Sequence, residues 1–170
     1  KGNNSFSDFR LRWQMKETKQ QPIYMFWRST FDNSNFKEDL ELLSTFYRNK
    51  GYRDFQILKD TIQYYNDSKK MDIILSISEG EKYKYRNFSW EGMSLFSEED
   101  LQTTLALEKG EQFSDEDFNL ALYSRVQGLY LDRGYIYSRI EPQITPIGID
   151  SIDIHFVITE NHKVFINNII

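Results

Sequence analysis

LLSTFYRNKGYRDFQI, residues 42–57, has a counterpart in YSRVQGLYLDRGYIYSRI, residues 123–140. Tyr47, Gly51 and Tyr52 recur as Tyr130, Gly134 and Tyr135 at a constant offset of 83. Downstream, Met71, Ile73, Leu75 and Ile77 recur as Ile152, Ile154, Phe156 and Ile158 at an offset of 81. Upstream, Gly2 and Phe6 recur as Gly92 and Phe96 at an offset of 90. The offset changes only where connecting segments would differ in length, as diverged copies of one folding unit require.

Each copy carries the same order of signals. Phe36, Leu40, Leu43 and Tyr47 form an apolar stripe at helical spacing, with Asn35 and Glu38 placed as a capping box ahead of it. Ser97 and Ser114 each precede three acidic residues, which marks two helix starts: a serine cap, and carboxylates at the positive end of the helix dipole. Gly51 and Gly134 are placed to end the second helix of each copy in a left-handed turn.

A strand is expected over 53–63 and 136–144, followed by turns at Asn66-Asp67-Ser68 and Gly148-Ile149-Asp150. The alternations Met71–Ile77 and Ile152–Ile158 then predict strands with one face on helices. A further strand, 83–90, opens the second copy. The unit therefore reads β-α-α-β-β. The fold class is α+β: two tandem modules, each a three-stranded mixed sheet with two helices packed on one face.

The expected division is 1–82 for a first copy lacking its opening strand, 83–163 for a second copy, and 164–170 for the first strand of a third. Both ends of the chain read as cuts through a longer protein. Val164–Ile170 is then a spare strand that the open first sheet of a neighbouring molecule would accept.

Composition narrows the function classes. The chain has 170 residues, 39% hydrophobic and 28% charged, which suffices for a core. Its 13 Phe, 11 Tyr and 3 Trp suit small modules, because bulky rings bury large areas in little volume. Without cysteine there is no disulfide, thiolate metal site or Cys nucleophile. The net charge of −5 and the lack of a Lys/Arg cluster argue against nucleic acid. No apolar run approaches the roughly 20 residues of a bilayer-spanning helix.

Catalytic signatures are also missing. His155 falls on the polar face of a strand and His162 in a turn, so both read as surface side chains. The acidic runs 98–100 and 115–117 lack calcium-loop spacing. There is no phosphate loop, zinc spacing or nucleophile elbow. The chain reads as a non-enzyme without cofactor or metal.

The residues Phe46-Tyr47-Arg48-Asn49-Lys50-Gly51-Tyr52-Arg53-Asp54 and Tyr130-Leu131-Asp132-Arg133-Gly134-Tyr135 carry a resemblance to a known family. Ile77-Ser78-Glu79-Gly80-Glu81-Lys82-Tyr83 and the Phe88-x-Trp90-x-Gly92 turn add to it. With the order of elements, they resemble the polypeptide-transport-associated (POTRA) repeat, closest to the periplasmic repeats of the Omp85 family of outer-membrane assembly factors. The match spans nearly the whole chain and departs at Glu160-Asn161, where glycine is expected in the second position.

The resemblance implies a location on the periplasmic side of the bacterial outer membrane, and a membrane β-barrel at the C-terminal end of the parent protein. It also implies a role in folding or inserting outer-membrane proteins. Partners would be unfolded outer-membrane proteins and other subunits of the assembly machine. A two-partner secretion transporter, recognising one exported protein, and a structural spacer are the alternatives.

Open sheets offer edge strands to extended chains. Pro142 and Pro146 place 136–144 at an edge, since proline cannot donate to a ladder, and repeat logic places 55–62 at another. The candidate protein-binding residues are Phe55, Ile57, Lys59, Ile136, Ser138, Ile140, Pro142 and Ile144. The apolar link Pro22–Trp27 adds a possible docking loop with Tyr24, Phe26 and Trp27, or a flap over the helices.

Overall fold

The computed structural model describes residues 1–18, 31–65, 70–165, 167 and 168. The chain divides into two compact units, 1–81 and 82–170. The expected turn at 66–68 and the loop residues Tyr24, Phe26 and Trp27 lie outside the described residues.

The first unit holds α1 (Asp8–Gln14), α2 (Asn33–Asn49), β1 (Gln56–Tyr65) and β2 (Lys70–Ser78). Asp32 caps α2 by accepting the Ser34 N–H at 2.8 Å, so the cap lies three residues before the expected Asn35. Phe36, Leu43 and Tyr47 are the buried apolar side chains of the expected stripe. The helix ends in a Schellman motif: Gly51 N–H donates to Arg48 C=O and Tyr52 N–H to Tyr47 C=O, with Gly51 at φ +95°. Strands β1 and β2 form an antiparallel hairpin with one bulge between Ile57 and Lys59. Leu43, Tyr47, Phe55 and Ile77 make the small core, with Phe6, Leu11, Phe46, Tyr52, Ile57 and Leu75 packed around them.

The second unit contains β3 (Lys84–Glu91), α3 (Glu98–Leu105) and α4 (Asp115–Asn119). A π-helical segment, Leu120–Val126, continues α4 into α5 (Gln127–Asp132), and β4 (Arg139–Ile147) and β5 (Ser151–Thr159) close the unit. Ser97 and Asp100 form a capping box on α3, and Ser114 accepts the Asp117 N–H on α4, as the acidic runs predicted. The Schellman motif recurs at Gly134, which donates to Leu131 C=O, with Tyr135 N–H donating to Tyr130 C=O.

The sheet order is β3-β5-β4, with β3 parallel and β4 antiparallel to the central β5. Ile152, Ile154, Phe156 and Ile158 are all buried on the helix side of β5. Each side chain of this kind stabilises by about 1.5–3 kcal/mol on burial. Trp90 and Phe118 stack on Phe156 from the neighbouring strand and helix.

The two units coincide closely at one backbone point. Gly2 (φ +91°) and Gly92 (φ +82°) press against β2 and β5: a Cβ would lie 2.2 Å from Ile77 O in the first unit and 2.1 Å from Ile158 O in the second. Lys1 occupies the place of Glu91, its C=O accepting the Ile77 N–H and its amino group donating to Leu75 C=O.

Two expectations shift. Asn161 replaces the glycine found at Gly80, yet takes the same left-handed conformation at φ +58°. Asparagine tolerates that region, and its Nδ2 donates to Tyr137 C=O at 2.8 Å. The described residues of 164–170 form no strand; Val164 N–H donates instead to Gly134 C=O at 2.9 Å. A strand needs a ladder partner, and no described strand lies beside this segment.

Candidate protein-binding edges

The expected edge residues fall into two groups. Ile57 and Lys59 lie in β1, and Ile140, Pro142 and Ile144 lie in β4. Phe55, Ile136 and Ser138 do not belong to an edge ladder. Phe55 precedes β1, is buried, and stacks on Tyr47 at 4.1 Å. Its N–H donates to Tyr52 C=O, and the Ser138 N–H donates to Tyr135 C=O in the same turn of the second unit. The strands therefore begin only at Gln56 and Arg139, after a turn that uses the first backbone donors internally. Ile136 is exposed in that turn. Ser138 is buried, and its hydroxyl and C=O accept from Gln127 Nε2 at 2.7 and 3.1 Å, tying α5 to the start of β4.

Strand β4 is an edge of the second sheet, as its prolines required. Its register with β5 runs unbroken from Arg139↔Thr159 to Ile147↔Ser151. Ile140, Pro142 and Ile144 share the helix side with Ile158, Phe156 and Ile154, while Glu141, Gln143 and Thr145 are exposed on the other face. The opposite edge, β3, is partly covered at its start. Tyr85 N–H donates to Glu111 C=O, Gly110 and Phe113 N–H groups donate to Tyr85 and Tyr83 C=O, and Lys84 bridges Gln112. In the first unit, β1 has β2 on one side and no described strand on the other.

The helix-free face of the second sheet is polar and internally satisfied. Arg86 pairs with Asp153, and Ser89 and Glu91 flank His155 at 2.8 and 3.1 Å. His162 sits beside the Tyr137 ring. Among the described residues no cluster of His, Cys, Asp or Glu could hold a metal ion, and no helix is long and apolar enough to cross a membrane.

A repeated carboxylate clasp ties each unit together, and the sequence reading missed it. At the end of β2, Glu79 accepts the Ser5 N–H at 3.1 Å, the Ser5 hydroxyl at 2.8 Å and the buried Tyr47 phenol at 2.9 Å. At the end of β5, Glu160 accepts from Ser94 N–H at 2.8 Å, Leu95 N–H at 3.0 Å and the Tyr130 phenol at 3.3 Å. Each clasp joins the end of β2 or β5 to a helix end and the entry loop. Burial works to raise the Glu79 pKa, but the Ser5 and Tyr47 hydrogen bonds outweigh it and hold the carboxyl below its ordinary value. Burial first, then Glu79, pushes the Tyr47 phenol well up. The available signal was the recurrence of Tyr47/Glu79 as Tyr130/Glu160 within the repeat.

Comparison with known proteins follows the same division. A family model described as "POTRA: Surface antigen variable number repeat" matches residues 1–80 and again 83–161. Outer membrane protein assembly factor BamA of Neisseria meningitidis serogroup B is 29% identical over 171 residues, covering 99% of this chain and 21% of that protein. BamA of Buchnera aphidicola subsp. Acyrthosiphon pisum is 30% identical over 132 residues, covering 74% of this chain and 21% of its own. The chain thus spans about a fifth of the length of these curated relatives.

Among solved structures, POTRA3-5 of Haemophilus influenzae BamA has a TM-score of 0.75 at 24% identity, covering 96% of this chain and 64% of that one. BamA of Haemophilus ducreyi lacking POTRA domains 1-3 has a TM-score of 0.62 at 16% identity, covering 78% of this chain and 24% of that one. POTRA1-3 of the periplasmic domain of Omp85 from Anabaena has a TM-score of 0.53 at 12% identity, covering 91% and 56%. These structural likenesses concern the fold.

Proposed function

Because the chain belongs to the POTRA family, we propose that it is a periplasmic, non-catalytic protein-binding scaffold of an outer-membrane β-barrel assembly machine. In this reading it receives unfolded outer-membrane proteins, or partner subunits, by strand addition at its sheet edges. The parent protein would be anchored by a C-terminal membrane β-barrel.

The observation that carries the reading is the pair of helix-backed sheets, each with an outer strand, β1 or β4, whose outer side has no described strand beside it. Backbone N–H and C=O groups along such an edge recognise an extended chain with little regard for its side chains. That tolerance suits a receptor for many barrel sequences. The two curated relatives are named as assembly factors, which favours assembly over dedicated secretion.

The test is photocrosslinking in cells. A photoreactive residue replaces exposed Gln63 on β1 or Gln143 on β4 in the full-length parent. Newly made outer-membrane proteins or assembly subunits are expected to be captured from at least one position. Capture from exposed helix positions such as Glu99, with none from either strand, would refute edge binding.

A further inference from the structure

The two outer strands differ in what they offer. We infer that, of β1 and β4, only β1 accepts an added strand, and that Pro142 and Pro146 close β4; the inference rests on the strand-addition reading above. In an antiparallel ladder, successive residues turn their backbone polar groups alternately toward the partner and away from it. Pro142 and Pro146 share one parity, and β4 keeps register with β5 through both. Prolines on the partner-facing parity would remove donors from the middle of that ladder, so they occupy the outward row with Ile140 and Ile144. The outward row then has N–H groups only at Ile140 and Ile144. A strand laid against it would bring carbonyls up to two pyrrolidine rings that cannot donate. Proline on an edge is a known protection against unwanted pairing.

Strand β1 carries no proline. Past the bulge at Leu58, Lys59 to Tyr65 runs in regular register with Ser76 to Lys70. Every outward-facing residue of that run keeps both donor and acceptor. The side chains specify the guest. On the helix side, Ile62 opposite Ile73 and Tyr64 opposite Met71 extend an apolar row beyond the core, which reaches only to Leu75. Tyr64 is 59% exposed. On the other face lie Thr61, Gln63 and Tyr65, opposite Ile74, Asp72 and Lys70. A guest gains most when apolar residues alternate with polar ones, the pattern of a membrane-barrel strand.

The experiment uses the whole 170-residue chain and a peptide about ten residues long with strict apolar/polar alternation. A photoreactive residue is placed at Gln63 or at Gln143, and amide exchange is followed along β1, β2 and β4. Crosslinking and protection are expected at Gln63 and β1 alone. A peptide of the same composition with its apolar residues in one block should bind roughly tenfold more weakly. Pro142→Val with Pro146→Val should open β4 to crosslinking at Gln143. Each regained hydrogen bond should raise affinity there by roughly two- to tenfold. Equal capture at Gln143 in the unaltered chain, or no gain from the valine pair, would overturn the inference while leaving strand addition standing. Peptide bound to the chain with protection at none of β1, β2 and β4 would overturn both.

Discussion

Glu79→Gln removes the charge from the carboxylate that joins β2, the end of α2 and the entry loop. The glutamine keeps the shape and one acceptor oxygen, but turns an N–H₂ toward groups that donate to the carboxylate: the Ser5 N–H and hydroxyl, and the Tyr47 phenol. A hydrogen bond to a charged group contributes about 1.5–3 kcal/mol, and a buried donor left unmet costs about 1–3 kcal/mol. The substitution should therefore destabilise the first unit by about 2–3 kcal/mol. That is a large share of the roughly 4–12 kcal/mol expected for a unit of this size. Tyr47→Phe removes one of the bonds and should cost about 1–2 kcal/mol. Combined, the two changes should cost less than their sum by about 1 kcal/mol or more, because both act on one contact.

Urea unfolding of the whole chain measures these values, with amide exchange at Phe55 and Ile77 reporting on the first unit. Acid supplies an independent arm. The Glu79 pKa is depressed in the folded protein from an ordinary 4.5. Its contribution is complete above that value and is lost as pH falls through the lower folded pKa. Glu79→Gln should flatten this part of the acid-stability curve. If Tyr47→Phe costs as much in the Glu79→Gln variant as in the parent, and the acid slope is also unchanged, the clasp is refuted.

The remaining expectations concern the second unit. Glu160→Gln should cost less than its counterpart, about 1 kcal/mol in urea unfolding, because the Tyr130 phenol is farther away at 3.3 Å and the carboxylate is more exposed. Gly92→Ala forces a methyl to within 2.1 Å of Ile158 O at φ +82° and should cost about 2–4 kcal/mol by thermal unfolding. Gly128→Ala, in α5 with open space around it, should stabilise by about 0.5–1 kcal/mol. Trp90 Nε1 is buried without a partner among the described residues. Trp90→Phe should therefore stay within about 1 kcal/mol of the parent, the lost burial being offset by removal of that donor. A loss above about 3 kcal/mol would mean that the donor is in use.

The sequence by itself determined the architecture: two copies, their order of elements, the serine caps, the glycine helix ends and the apolar row of β5. These are local signals. A glycine ending a helix or an alternation of period two acts over a few residues and needs no distant partner to be read. Proline likewise placed β4 at an edge, because a missing N–H is a property of the residue. Tertiary structure decided what depends on distance. Tyr47 meets Glu79 across 32 residues, and Ser5 meets it across 74. No local pattern records such a meeting, and only the repeat hinted at it. Phe55 had the spacing of a strand residue, yet it is drawn inward to stack on Tyr47, and β1 begins at Gln56 rather than at the expected 53. The cap of α2 lies at Asp32, whose carboxylate accepts both the N–H and the hydroxyl of Ser34, a meeting fixed only once the turn ahead of the helix has formed. Which backbone groups of β4 face outward was likewise decided only by the tertiary structure, because it depends on the ladder formed with β5.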